Sequence, residues 1–349
     1  MNREKLFEVV RTLVAVTIAL AIAFIIILFV SSEPLETIKS FLLGPLSSKR
    51  HFGNVIEMAI PLIFAGLATA ILFQTSMFNL GSEGIFYISG IIASVIAIFV
   101  KLPSGIHPMV AIIAAGIIGG IIGVLPGYLR AKWNANELVT SLMFNSIWFG
   151  IGMYFINYYL RDPFALETVS YKFAKTARLP IILRGTRIHV GLLIVLVAVV
   201  FTYYFLYKTR WGYALRMTGT NREFAEYSGI NSFKVIIYAH VIAGIIAGIG
   251  GGTQMLGMYN RFQWQALPGY GFDGALIAML ARNNPIGVVG SAIFIAYIRI
   301  GADMMARMTD VPSEMVAIMQ AVIIFLISGE RFLQAWKHRM IVKGANKNA

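Results

Sequence analysis

The sequence predicts an all-α protein: a polytopic membrane helix bundle of about nine transmembrane spans, with a short discontinuous helix and an inverted internal repeat. Three observations lead there. The composition, 58% hydrophobic and 13% charged with a mean hydropathy of +0.75 over 349 residues, lies outside the range of soluble globular chains. Apolar runs of spanning length recur along the chain. Short polar motifs also recur in its two halves.

The first run, Leu13–Val30, holds 18 uncharged residues and can cross most of a hydrocarbon core of roughly 30 Å. Ser31-Ser32-Glu33-Pro34 offers no small-x-small cleavage pattern, so the run is read as a retained helix. Residues 1–53 are therefore expected to form an N-terminal transmembrane helix and an external loop. Further apolar runs fall at 54–73, 84–100, 108–129, 138–160, 188–207, 234–256, 286–306 and 312–328, with a shorter one at 272–281. Residues 54–330 then make up the transmembrane domain, and 331–349 a basic cytoplasmic tail.

A net charge of +13 in so apolar a chain points to lipid headgroups and not to nucleic acid, because Lys and Arg lie mainly at the ends of the runs. Placing both termini, 130–137 and 208–234 in the cytoplasm satisfies the positive-inside rule and sets the chain as a multi-pass protein of the cell membrane. The segment 161–187 runs against it, with Arg161, Lys172, Lys175, Arg178, Arg184 and Arg187. The absence of cysteine excludes disulfides and thiolate metal sites.

Glu83-Gly84 opens one apolar segment and Asp273-Gly274 another, while Asn136-Glu137-Leu138-Val139 and Ser313-Glu314-Met315-Val316 each begin a later span. Five crossings separate the members of each pair, and an odd number inverts the copy. Inverted repeats are usual in transporters, with the substrate path at the repeat interface.

Polar groups at membrane depth must be paired or line water. Asn79-Leu80-Gly81-Ser82-Glu83-Gly84 permits an unwound turn, and Glu83 can accept hydrogen bonds from a ligand or from a helix end. Pro268-Gly269-Tyr270-Gly271-Phe272-Asp273-Gly274 and Arg282-Asn283-Asn284-Pro285 bound a helix too short to span, which is tolerated only inside protein or beside an aqueous cavity. Asn145, Asn157 and Gln320 are expected to hydrogen-bond between helices. Gly116, Gly119, Gly120 and Gly123, and Gly244, Gly248, Gly250, Gly251 and Gly252, mark two helices that approach closely.

Thr218–Asn231, TGTNREFAEYSGIN, stands apart as a polar stretch between two long apolar runs. Thr220 and Glu223 form a capping-box pattern, and Gly229 supplies a left-handed stop. About two turns of helix should present Phe224, Ala225 and Tyr227 to another surface. No phosphate-binding loop, His pair at i, i+4, nucleophile elbow or carboxylate cluster of metal-ligand spacing occurs. The histidines His51, His107, His189, His240 and His338 are scattered. Neither enzyme activity nor a bound cofactor or metal is expected, and any ATP hydrolysis belongs to another chain.

Together, Asn79–Gly84 (NLGSEG), Ala135–Asn145 (ANELVTSLMFN), the loop through Gly219, Asn221, Ala225 and Gly229-Ile230, Pro268–Gly274 (PGYGFDG), Asn284-Pro285 and Val311–Val316 (VPSEMV) resemble an ABC-importer permease. The likeness is to the nucleoside and simple-sugar branch of the family that also contains ribose and branched-chain amino-acid permeases, over about residues 55–330. It implies a second, related permease subunit in a heterodimer, cytoplasmic ATPases that use the ATP, and an external substrate-binding protein or lipoprotein. It makes Thr218, Gly219, Thr220, Asn221, Glu223, Phe224, Ala225, Tyr227, Gly229 and Ile230 the contact with the ATPase. Candidates for the substrate path are Asn79, Glu83, Asn136, Glu137, Asn145, Tyr270, Phe272, Asp273, Asn283, Asn284 and Glu314. Ile85 stands where members of this branch often carry Gln, so a contact made by that Gln would be missing. An ion-coupled secondary transporter is the alternative; it would leave the capped loop without a partner. An intramembrane enzyme is disfavoured by the missing catalytic constellation.

Overall fold

The computed structural model describes residues 31–312, together with Thr17, Ile18, Ala21, Ile22, Phe24, Ile25, Ile27, Leu28, Phe29, Met315, Ile318, Ala321 and Val322. Most of the expected spans 13–30 and 312–328, with Ser313, Glu314, Gln320 and the tail, lies outside the described residues. The helices are α1 (Pro34–Leu43), α2 (Lys49–Gln74), α3 (Ser82–Phe99), α4 (Ile106–Trp133), α5 (Glu137–Phe155, continued by a π-turn to Leu160), α6 (Gly191–Lys208), α7 (Arg210–Thr220), α8 (Arg222–Tyr227), α9 (Ser232–Met258), α10 (Tyr270–Leu280) and α11 (Pro285–Met308). No extended strand occurs among the described residues, only isolated bridges at Arg161–Ser170 and Ile181–His189.

Seven of these helices are long and apolar enough to cross a membrane: α2, α3, α4, α5 with its π-turn, α6, α9 and α11. Each matches an expected run. The eighth apolar helix, α10, is the expected short one. Its 11 residues rise about 16 Å, roughly half a hydrocarbon core.

The chain divides into two compact units, residues 52–296 and residues 1–51 with 297–349. In the larger, α2 is apolar on every side and buried from Ala59 to Leu72, as a helix at the centre of a bundle must be. Helix α4 packs most extensively on α9, and α9 next on α3. Glycine makes the first contact possible. A Cβ on Gly119 would lie 2.3 Å from the Gly244 carbonyl oxygen, and one on Gly123 would lie 2.5 Å from that of His240. With lipid as apolar as leucine, such close backbone approach supplies the dispersion that holds membrane helices together. In the smaller unit, the Tyr297 hydroxyl donates to the Leu42 carbonyl, and Asp310 accepts from Ser31 Oγ at 2.7 Å and Ser32 N at 2.8 Å.

Residues 208–233 were expected to be a loop with one short helix, yet they form two. Thr209 caps α7 by accepting from Gly212 N at 3.1 Å, so helix resumes one residue after the α6 span ends.

Candidate functional site

After α2 the backbone unwinds over Asn79–Gly81 at full burial, and its polar groups are met by side chains of other helices. Asn145 of α5 donates to the Leu80 carbonyl at 3.1 Å and accepts from Gly84 N at 2.9 Å; Ser141 accepts from Leu80 N at 3.2 Å. Asn79 accepts from Gly81 N at 2.6 Å, and its amide meets His240 Nε2 at 3.2 Å. His240 Nδ1 faces the Ile236 carbonyl at 2.9 Å, so Nδ1 carries the proton and Nε2 accepts. A cavity of about 20 Å³ beside this turn, lined by Asn79, Ser82, Ser141, Phe144, Trp148 and His240, has room for about one water.

Glu83 reaches across to α10. Its carboxylate accepts from the backbone N–H groups of Gly269 and Gly271, so it caps the discontinuous helix from 186 residues away. Both glycines are needed. Gly269 has φ +86°, and a Cβ on Gly271 would lie 2.7 Å from Glu83 Cβ. Asp273 is buried close enough to Glu83 to interact with it electrostatically. At the other end of α10, Arg282 and Asn283 adopt left-handed conformations with φ +53° and +58°. Asn283 N returns to the Ala278 carbonyl at 2.8 Å, and Asn284 Oδ1 caps α11 by accepting from Ile286 N at 2.9 Å.

Tyr270 belongs to an aromatic cluster the sequence reading did not find. Phe86 and Tyr87 of α3, Phe262 and Trp264 of the segment between α9 and α10, and Tyr270 lie ring to ring, with Tyr87–Trp264 stacked at 6.5 Å and Phe86–Tyr270 at 5.4 Å. Gln254 of α9 donates to the Tyr270 hydroxyl at 3.2 Å, while its own Oε1 and the Tyr87 hydroxyl are buried without a hydrogen-bond partner. Buried polar atoms without a protein partner call for an explanation. The available signal was a lone Gln in an apolar helix, straight after Gly250-Gly251-Gly252-Thr253.

Several expected path residues lie elsewhere. Asn136 caps α5, accepting from Leu138 N and Val139 N, and Glu137 pairs with Arg130 at 2.6 Å. Phe272 is 52% exposed on the outside of α10; Asn157, expected to hydrogen-bond between helices, is exposed instead. Glu314 lies outside the described residues.

The polar stretch 218–231 keeps its short helix but not its expected cap. Thr220 is the last residue of α7, its hydroxyl donating to the Arg216 carbonyl at 2.9 Å. Asn221 caps α8 instead, accepting from Phe224 N at 2.9 Å, because its side chain reaches the third amide from an extended backbone. Gly229 is the left-handed stop expected of it, with φ +82°. Ala225, expected to face a partner, is fully buried against its own chain, whereas Phe224 is 55% and Tyr227 92% exposed. At the front of the stretch, Thr218 is buried and Gly219 lies against the end of α2, where a Cβ would be 2.2 Å from the Gln74 carbonyl oxygen. Ser76 donates to the Gly219 carbonyl at 2.6 Å, and Gln74 Nε2 donates to the Asn283 carbonyl at 3.1 Å.

Residues 52–328 match a sequence family described as the branched-chain amino acid transport system / permease component. The chain belongs to this family. The permease is 31% identical over 329 residues to the glucose ABC transporter permease protein TsgB13 of Haloferax volcanii, covering 90% of this chain and 86% of the relative. It is 29% identical over 347 residues to the guanosine ABC transporter permease protein NupP of Bacillus subtilis, covering 98% and 99%. With the nucleoside ABC transporter permease protein NupB of Lactococcus lactis it shares 27% over 336 residues, covering 93% and 92%. NupQ and NupC, permease proteins of the same two bacteria, match at 21% and 24%. No solved structure matches the permease significantly.

Proposed function

We propose that the permease is one of two homologous membrane subunits of an ATP-driven importer for nucleosides, driven by a cytoplasmic ATPase seated on residues 218–231 and supplied by an external binding protein. The observation that carries the reading is a continuous chain of contacts through residues 74–84. Gly219, at the end of α7, rests on Gln74–Ser76. Those residues lead into the unwound turn Asn79–Gly81 and the first turn of α3. Glu83, in the first turn of α3, holds the discontinuous helix α10, and Gln74 also touches the turn that ends it. A push at the loop therefore arrives at both ends of a half-spanning helix. This is the mechanical need of an importer whose energy comes from another protein.

The loop's exposed face is Phe224 and Tyr227, and these are its contact with the ATPase. Loop and tail then share the cytoplasmic side. The juxtaposition of Glu83-Gly84 with the segment opening at Asp273-Gly274 supports an inverted repeat meeting near the path. For the substrate, Tyr87, Phe262, Trp264 and Tyr270 supply faces for a flat heterocycle, and Gln254 and the Tyr87 hydroxyl supply polar edges. A nucleoside presents both features, as the guanosine and nucleoside relatives suggest. The pairs NupP/NupQ and NupB/NupC support a second permease beside this one.

The test is reconstitution with and without the ATPase, second permease and binding protein. The complete assembly should concentrate labelled guanosine when given ATP, and this chain alone should neither hydrolyse ATP nor take guanosine up. Tyr227→Arg should keep the thermal stability of the wild type but lower ATPase stimulation and uptake at least tenfold. Uptake by this chain alone, driven by a proton or sodium gradient, would overturn the reading.

A further inference from the structure

A groove lies between α7 and the first two turns of α9, at the depth where the α6 span has just ended and the α9 span has just begun. Its volume is about 380 Å³, against about 20 Å³ for the cavity beside Asn79. Arg210 and Lys234 line it, and no carboxylate does. Neither cation takes part in any ion pair found among the described residues, which join Arg130 to Glu137, Arg222 to Glu226, Arg261 to Asp162 and Arg307 to Asp303. The wall between them is aromatic. Trp211 stands edge-on to Tyr238 with centroids 4.9 Å apart, and the Arg210 guanidinium lies 5.5 Å from the Trp211 ring centre. Ala214 and Val235 add apolar lining.

We propose that this groove binds the phosphate of an anionic glycerophospholipid, with the headgroup between Arg210 and Lys234 and the glycerol end against Trp211 and Tyr238. Two cations without acidic partners at the membrane surface form a phosphate site, and basic pockets between spans bind anionic headgroups by this chemistry. The depth and the lining choose the source. Inorganic phosphate would use the two charges only, whereas a phospholipid also covers the rings and the small apolar residues. Trp211 is 49% exposed and Tyr213, one turn from Arg210, 53% exposed, so an amphipathic surface continues from the groove toward the acyl region. The proposal stands on its own geometry and does not depend on the substrate of the permease.

The experiment uses the full chain, delipidated in detergent and titrated with phosphatidylglycerol or with phosphatidylcholine of the same acyl chains, with bound lipid counted by native mass spectrometry. Phosphatidylglycerol should bind selectively. Lys234→Gln should weaken it about fivefold, and the double variant Arg210→Gln/Lys234→Gln about thirtyfold, since each cation near an anionic surface contributes about 1 kcal/mol. Phosphatidylcholine binding and the melting temperature in phosphatidylcholine should not change. Should the double variant fail to fold, the Lys234→Gln titration decides alone, because that side chain is exposed and caps nothing. Wild-type selectivity retained by Lys234→Gln would overturn the proposal. So would displacement of the lipid by excess inorganic phosphate, which would make the site one for free phosphate. Loss of ATPase binding with lipid binding intact would make the groove a protein interface and overturn it equally.

Discussion

At the scale of single residues, position and not type decides which polar groups matter. Asn136 and Asn145 are both asparagines near the ends or middle of one helix, yet one caps α5 and the other pins the unwound turn before α3. The sequence marks both as polar in an apolar setting. Asn136 meets amides two and three residues ahead, but the backbone groups that Asn145 meets lie more than sixty residues away, and no local pattern carries that. Ala225 shows the converse error, since small size beside exposed aromatics reads equally as a docking surface and as a residue tucked beneath them. His189 offers a measurable case outside the spans. It is fully buried, with Nδ1 accepting from Gly191 N at 3.1 Å and with Gly257 pressed against Nε2. Burial holds its imidazole down to about 4. The unfolded chain takes up this proton near pH 6.5, and the native state refuses it until about pH 4. Stability is therefore unaffected above pH 6.5 and is lost as pH falls from there toward 4, by about 3 kcal/mol in all. Unfolding measured at pH 7 and pH 4 should show the wild type losing about that much more than His189→Gln, whose carboxamide can still accept from Gly191. Equal losses in the two proteins would assign the acid sensitivity to other groups.

At the scale of elements, most of the bundle is legible because a span is a composition as well as a pattern. Each of the seven described spans lies within a few residues of the run that predicts it. The short helix α10 is legible too, for Pro-Gly and Asn-Asn-Pro bracket it. Helix α7 is not, since Arg210, Arg216 and Thr220 make its amphipathic face look like loop until Thr209 is seen to cap it. The α4–α9 contact illustrates how sharply an element can constrain a residue. Gly119→Ala would set a methyl 2.3 Å from the Gly244 carbonyl oxygen, a backbone atom that can yield only if the two helices part. A loss of about 1 to 3 kcal/mol is expected from the overpacking. Gly150 of α5 meets nothing within 4 Å, so Gly150→Ala should leave stability equal or raise it by up to about 1 kcal/mol. Thermal unfolding in detergent compares the two, and equal behaviour would mean that the α4–α9 interface is looser than its backbone distances indicate.

At the scale of the whole molecule, composition gives the class and the ordered motifs give the family, but the links between distant segments do not follow from either. The tie from Glu83 to Gly269 and Gly271 is the clearest of these. Glu83→Ala removes the acceptor of two buried amides and should cost about 2 to 4 kcal/mol, while Glu83→Gln, which keeps one acceptor oxygen, should cost about half of that. Denaturation in detergent separates the three proteins, and wild-type stability in Glu83→Ala would show that these amides find other partners.

The same tie sets an order on biogenesis. Glu83 leaves the ribosome 186 residues ahead of Gly269, an interval of roughly 10 to 40 s at ordinary synthesis rates. Throughout that time α3 carries an acidic side chain whose own helix gives it no partner, and hydrocarbon would reject it. The first half of this chain must therefore wait beside water or inside the insertion machinery until the second half arrives, so a nascent chain halted between the two is left with a membrane domain that cannot close.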